Sequence, residues 1–465
     1  MIMSRSLTAD RALKIALVCG VALSLAACGT VRRALPFGLG GDDEPTATAS
    51  EGQRVSVLEF EQQLAPSAAL AGRDFFLPGP VAASSWGQPG RNAENNVEHV
   101  IAAPNFTVAW RASIGAGSSR PRQLMGPPVA DGGRIYTIDA DRSVRATDET
   151  GRSVWRTDIR PEGREDGGFG GGVAVSGGRV FVASGHRVVT ALDAATGAQV
   201  WQTRVDVPIH GAPTVAGGRI YVVDIDNLLY AFDARTGQQV WTYRGIPEPA
   251  RLMRASSPAV LADTVIAPFA SGEVVALRAN NGQPVWSEVL SRTSRTSALS
   301  EIRDIAGRPV ISRGTVFAVS HSGVIAAMDQ RSGARRWELP IAGVNAPLPV
   351  GDVVYVVSKT GELTVVNRES GQVYWTRDLN EGRTRQKGGF LGIGDRTVRP
   401  QWTGPILASN RLVLGNSFGD VVAFDPKTGQ EVAALRLGDP IHAPPIAYNG
   451  RLYVVTDAGQ LVAIS

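Results

Sequence analysis

Cysteine is nearly absent. Of 465 residues only Cys19 and Cys28 are Cys, and both lie close to the N-terminus. No disulfide framework can hold the rest of the chain, so stability must come from a buried core, which this length can supply. Histidine is also scarce. His99, His186, His210, His321 and His442 are scattered, with no His-x3-His or Cys-x2-Cys spacing, and the common zinc signatures are excluded. There is no Gly-x-Ser-x-Gly elbow and no P-loop. The glycine run EDGGFGGG at 165–172 leads into no predicted helix, so it reads as a loop needing close backbone packing and not as a phosphate cradle. The one sustained apolar run, 15–27, is too short to span a bilayer comfortably. Charge of one sign is missing too: 47 Lys and Arg against 43 Asp and Glu give +4, without the basic stripe of a nucleic-acid-binding protein.

What is abundant is repetition. ALDAATGAQVW at 191–201 returns as AFDARTGQQVW at 231–241, ALRANNGQPVW at 276–286, AMDQRSGARRW at 327–337 and VVNRESGQVYW at 365–375. ATDETGRSVW at 146–155 is one residue short, and AFDPKTGQEVA at 423–433 lacks the Trp. Each copy alternates apolar residues with a period of two, the mark of a half-buried strand. A Gly then supplies a turn residue free to take positive φ. Trp155, Trp201, Trp241, Trp286, Trp337 and Trp375 follow, and Trp110 stands in the similar strand NFTVAWRASIG at 105–115. One large ring at one place per repeat suits a wedge between neighbouring sheets. The recurring Asp193, Asp233, Asp329 and Asp425 sit four residues before the turn Gly, where a carboxylate bonds nearby backbone N–H groups.

Upstream of each hairpin lies a second one, as in APTVAGGRIYVVD at 212–224 and PPIAYNGRLYVVT at 444–456. Together they predict an all-β chain, an eight-bladed β-propeller of four-stranded antiparallel blades over 105–465. The last module stops after its third strand, and the orphan strand at 105–115 is placed to complete that blade and close the ring. His210 and His442 occupy matched places in DVPIHGAP and GDPIHAPP, read as a structural device at a blade entry.

Arg5, Arg11 and Lys14 precede the apolar run, which ends in Leu25-Ala26-Ala27-Cys28. A charged start and small-residue end fit a cleaved export signal at 1–27. The last four residues resemble the bacterial lipobox, which implies lipidation of Cys28. Gly29 is not the Asp that retains such proteins at the inner membrane, so the resemblance implies an outer-membrane anchor facing the periplasm. The chain from Cys28 would carry 44 basic and 42 acidic residues, net +2. Residues 28–104 read as a tether followed by a turn-rich segment that lies along the propeller or recruits a further component.

The repeats resemble those of quinoprotein dehydrogenases. Lipobox and eight modules together resemble BamB, the propeller lipoprotein family of the outer-membrane β-barrel assembly (BAM) machinery. The resemblance implies a non-enzymatic scaffold with no cofactor or metal. It would be a monomer within a hetero-complex, bound to BamA and to nascent outer-membrane β-barrel proteins, with no nucleic-acid partner. The long inter-blade links share one face, the usual place for function on a rigid scaffold. PARLMRASSP at 249–258 resembles a BamA-contacting stretch of the family, carrying that role to Leu252, Met253 and Arg254. SEIRDIAGRP at 300–309 resembles another, carrying it to Asp304 with Glu301 and Arg303 nearby, although the family's second Asp falls at Ala306. The link at 377–404 is basic, with six Lys/Arg against three Asp/Glu. Competing readings are a periplasmic pyrroloquinoline-quinone dehydrogenase, disfavoured by the lack of adjacent cysteines, and a propeller lipoprotein that binds cell-wall glycan.

Overall fold

A computed structural model describes residues 64–465, apart from 125, 160, 162–167, 169, 249–251, 253–255, 292–301 and 388–395. Met253, Arg254, Glu301 and Cys28 lie outside the described residues. The alternating pattern resolves into eight four-stranded antiparallel blades: blade 1 at 129–158, blade 2 at 171–204, blade 3 at 214–244 and blade 4 at 259–289. Blades 5, 6 and 7 follow at 310–339, 348–378 and 402–436, and blade 8 combines 446–464 with the N-terminal strand Val108–Ser113. That strand pairs antiparallel with Gln460–Ile464, Trp110 opposite Ala463 and Ser113 opposite Gln460. The ring closes as the truncated last module predicts.

Every outermost strand carries a β-bulge beside its Trp position, as where Gln199 pairs Leu192 and Trp201 pairs the adjacent Ala191. In blade 2 the bulged residue is the exposed Val200. A bulge twists the edge and blunts pairing with another chain.

The Trp wedge is also a hydrogen-bonded latch. Trp155 Nε1 donates to Ala194 O of the next blade at 3.0 Å, Trp201 to Ala234 O at 3.2 Å and Trp241 to Ala279 O at 2.9 Å. Trp286, Trp337 and Trp110 make the same bond to Gln330 O, Arg368 O and Glu149 O. The Arg of the Gly-Arg-Ile-Tyr pattern reaches the same carbonyl: Arg134 donates to Ala194 O at 2.6 Å, and Arg179 to Ala234 O at 3.0 Å. One acceptor thus serves two donors from the neighbouring blade. The turn Gly lies against the same ring. A Cβ on Gly237 (φ +74°) would stand 2.5 Å from Trp201, so both backbone and contact demand glycine.

The recurring Asp does cap its turn. Asp193 Oδ1 accepts from the Ala195 and Thr196 amides and the Thr196 hydroxyl at 2.8–3.0 Å, and Asp233, Asp329 and Asp425 repeat the set. The hydroxyl bond foremost holds Asp193 below the usual carboxylate range. Asp329, helped first by Arg336, falls to about 2. The glycine run lies partly outside the described residues, and its end, Gly171 and Gly172, opens a strand of blade 2 where the reading expected a loop; packing there is tight, since a Cβ on Gly172 would stand 2.5 Å from the Ala212 side chain.

The N-terminal segment is bound across the ring. Residues 76–103 form a strap over the channel, on the face carrying the first turn of each blade. Trp86 exchanges both backbone bonds with Ala130 of blade 1, and Gly87 O accepts from Val175 N of blade 2. The Gln88 amide bonds Val215 of blade 3 through both of its ends, Nε2 to O at 2.7 Å and Oε1 from N at 3.1 Å. Ala93 O and Glu94 O accept from Val260 and Ile311 of blades 4 and 5. Asn95 Nδ2 donates to Pro258 O and Pro309 O. Phe76 O accepts from Asp352 N of blade 6, Val100 O from Ser409 N of blade 7 and Ala83 O from Asn449 N of blade 8. The inner edge of a propeller otherwise leaves these groups unpaired, and buried backbone groups demand partners. One strap reaches all eight blades.

Candidate partner-binding face

With strands running up, down, up and down, the inter-blade links and the second-to-third strand turns lie on the face opposite the strap. The structure brings together the two links singled out by sequence. Asp304 is 3% exposed, and its Oδ2 accepts the Leu252 amide at 3.1 Å. Its backbone oxygen accepts from His321 N at 2.9 Å, and Ile305 N donates to Phe269 O at 3.3 Å. Asp304 therefore fixes one link to the other and to blades 4 and 5, with its carboxylate buried. Arg303, its neighbour, is exposed and Leu252 half-buried.

Three further side chains gather beside Leu252, in a concavity of 270 Å³ lined also by His321, Lys359 and Trp402. His321 Nδ1 lies 3.2 Å from Ile302 O, and a carbonyl partner requires that nitrogen to carry the proton. Lys359 Nζ donates to His321 O at 3.2 Å. Burial lowers the pKa of both groups, and the Lys359 charge lowers that of His321 further. Trp402 Nε1 donates to Asn380 Oδ1 at 3.0 Å. In the basic link, Arg385 stacks 4.1 Å from the Phe418 ring and Arg383 pairs with Glu431.

His321 and Lys359 escape motif reading because each belongs to a turn that recurs with changing chemistry. SHSGV at 320–324 and SKTGE at 358–362 align with NSFGD at 416–420 and TDAGQ at 456–460. In three of the four the first position caps the turn: Ser320, Ser358 and Asn416 each accept a backbone amide four residues on. The second position varies. Superposing the copies would have isolated it.

His210 and His442 both border the channel. His442 Nδ1 pairs with Asp457 Oδ2 at 2.9 Å, and His210 O accepts from Gly171 N. His442 thus ties a blade entry to a turn and His210 ties one to the first strand of blade 2, and among the described residues no group of three or more His, Cys, Asp or Glu is placed to hold a metal ion.

Eight blades, seven of them carrying the Trp that rests on the next blade's turn Gly, define a propeller of the quinoprotein-repeat class. The chain belongs to the family of the outer membrane protein assembly factor BamB, whose model matches residues 140–377 and 386–465. It is 30% identical over 387 residues to BamB of Escherichia coli (strain K12), covering 80% of this chain and 94% of that protein. To BamB of Xanthomonas campestris pv. campestris it is 31% identical over 384 residues, covering 80% and 89%. The crystal structure of BamB from Moraxella catarrhalis superposes with a TM-score of 0.64 at 20% identity, covering 77% of this chain and 99% of that one. Quinohemoprotein alcohol dehydrogenase from Comamonas testosteroni superposes almost as well, with a TM-score of 0.63 at 16% identity, covering 82% and 80%. At such identities these likenesses establish the fold alone.

Proposed function

We propose that this chain is a non-enzymatic scaffold for outer-membrane protein assembly. Lipidated Cys28 holds it at the periplasmic face of the outer membrane, and its link face docks on BamA, assisting insertion of β-barrel proteins. The observation that carries the docking assignment is the Asp304–Leu252 bond. It joins the two family-like links into one surface with exposed Arg303 at its edge. Asp304 acts by positioning, Leu252 by apolar contact and Arg303 by charge, while Met253, Arg254 and Glu301 extend the same stretches. The non-enzymatic reading is supported by what fills the channel: Trp86, 1% exposed, and Asn95 close it from the strap face.

Co-purification of BamA with the full-length lipoprotein in mild detergent tests this. Leu252→Glu and Arg303→Glu should each lower recovery about tenfold, the scale of a lost interface anchor. Undiminished recovery in both variants overturns the docking assignment. Cys28→Ser should move the protein from the membrane to the soluble periplasmic fraction. Titration with pyrroloquinoline quinone and Ca²⁺ should show no stoichiometric spectral change, whereas one quinone per chain would restore the dehydrogenase reading.

A further inference from the structure

Among the described residues, the large apolar side chains left exposed belong to the strap or to the outer strands, with one exception. Ile246, 56% exposed, stands in the link between blades 3 and 4. Its backbone is held at both ends by buried side chains. The Ile246 N–H donates to Glu273 Oε2 at 2.7 Å, and its carbonyl accepts from Asn227 Nδ2 at 2.6 Å. Each holder is itself fixed: Asn227 Oδ1 accepts the Ala270 amide at 3.0 Å, and Glu273 Oε2 the Ser271 hydroxyl at 2.8 Å. The preceding Gly245 donates to Asn227 O at 2.8 Å, and a Cβ on it would stand 2.8 Å from the Phe269 ring. A carboxylate withdrawn from water is costly unless hydrogen bonds offset the loss. Here those bonds fix the backbone of an apolar residue whose side chain stays in solvent.

The clamp belongs to the surface already described. The blade 4 turn at 269–273 also receives the second link: Phe269 O accepts from Ile305 N at 3.3 Å, and a Cβ on Gly272 would stand 3.1 Å from the Arg303 side chain. One turn thus holds both Ile246 and the Arg303–Ile305 stretch. We infer that Ile246 is an apolar anchor of the docking face, entering a hydrophobic recess of BamA, and that Asn227 and Glu273 are positioning residues that hold it ready. The inference rests on the docking reading above and deepens it by naming the partner's chemistry at this point. An anchor fixed before contact loses little freedom on binding, and a few such anchors carry most of an interface's affinity.

The test titrates the full-length lipoprotein in detergent with purified BamA, with the unfolding midpoint of each variant as the control for folding. Ile246→Ala should weaken binding about tenfold, Ile246→Asp further, and Ile246→Leu little. Val240→Asp alters an exposed apolar residue on the outer strand of the same blade and should leave binding unchanged. Glu273→Ala should weaken binding about fivefold, and Glu273→Gln, which keeps an acceptor, should restore most of it. Once Ile246→Ala is in place, Glu273→Ala should add little, whereas losses that add in the double variant overturn the positioning role. Wild-type affinity in Ile246→Asp, with Leu252→Glu still defective, overturns the anchor and leaves the docking reading in place. An equal loss in Val240→Asp overturns it too, because exposed apolar surface would then count wherever it lies. No binding by the unaltered protein overturns both.

Discussion

Ala433 occupies the position that holds tryptophan on the outer strand of the other seven blades. The reason lies in the next blade. Each latch ring rests on the turn Gly that joins the third and fourth strands of its neighbour, but blade 8 takes its fourth strand from 108–113 and has no such turn. Closure of the ring removes the surface a Trp would cover. The repeat spacing made the Trp positions legible; the exception needed the topology. Trp375 makes the complementary point: it packs against Gly429, yet its Nε1 has no partner, and Pro426 O accepts from Tyr355 instead. Trp201→Phe should therefore cost about 1 kcal/mol more than Trp375→Phe, the price of one hydrogen bond, read from denaturant midpoints. Equal losses would show that the latch is contact alone. Gly237→Ala should cost roughly 2–4 kcal/mol, combining positive φ with a clash against Trp201.

The strap is the element that sequence reading located without resolving. It has no period because its partners are eight separate strand edges, each met by one or two residues. Composition could mark 28–104 as irregular, but only the folded ring shows Gln88 and Asn95 replacing missing strand partners. Gln88→Ala and Asn95→Ala should each destabilise by roughly 1–3 kcal/mol, since each leaves buried backbone groups unpaired, and should hasten proteolysis within 76–103. His99 adds a pH dependence. Its Nδ1 lies 2.6 Å from Pro78 O and its Nε2 accepts the Asn410 amide at 2.9 Å, an arrangement that needs neutral imidazole. Burial holds its pKa below the ordinary value. The unfolded chain therefore takes up the proton first, so this contribution is whole above about pH 6.5 and is lost as pH falls through the folded value. The acid side of the stability profile should lose that component in His99→Gln, and an identical profile would contradict the assignment.

At the scale of the molecule, two faces have been given different work. The strap face is closed and the outer edges are interrupted by bulges, while the long loops gather on the link face. Eight modules and the closing strand were readable from repeats alone, and the two links proposed to dock were singled out from family-like stretches. The Lys359–His321 contact beside Leu252 was not readable, because the three residues come from different segments that meet only when the ring forms. The most direct test is photo-crosslinking in living cells from a probe at position 303, with a control probe at Gln199 on the strap face. Captured BamA at 303 and none at 199 is the predicted result. Capture at 199 alone, or no capture at 303 from folded and membrane-anchored protein, would contradict the account.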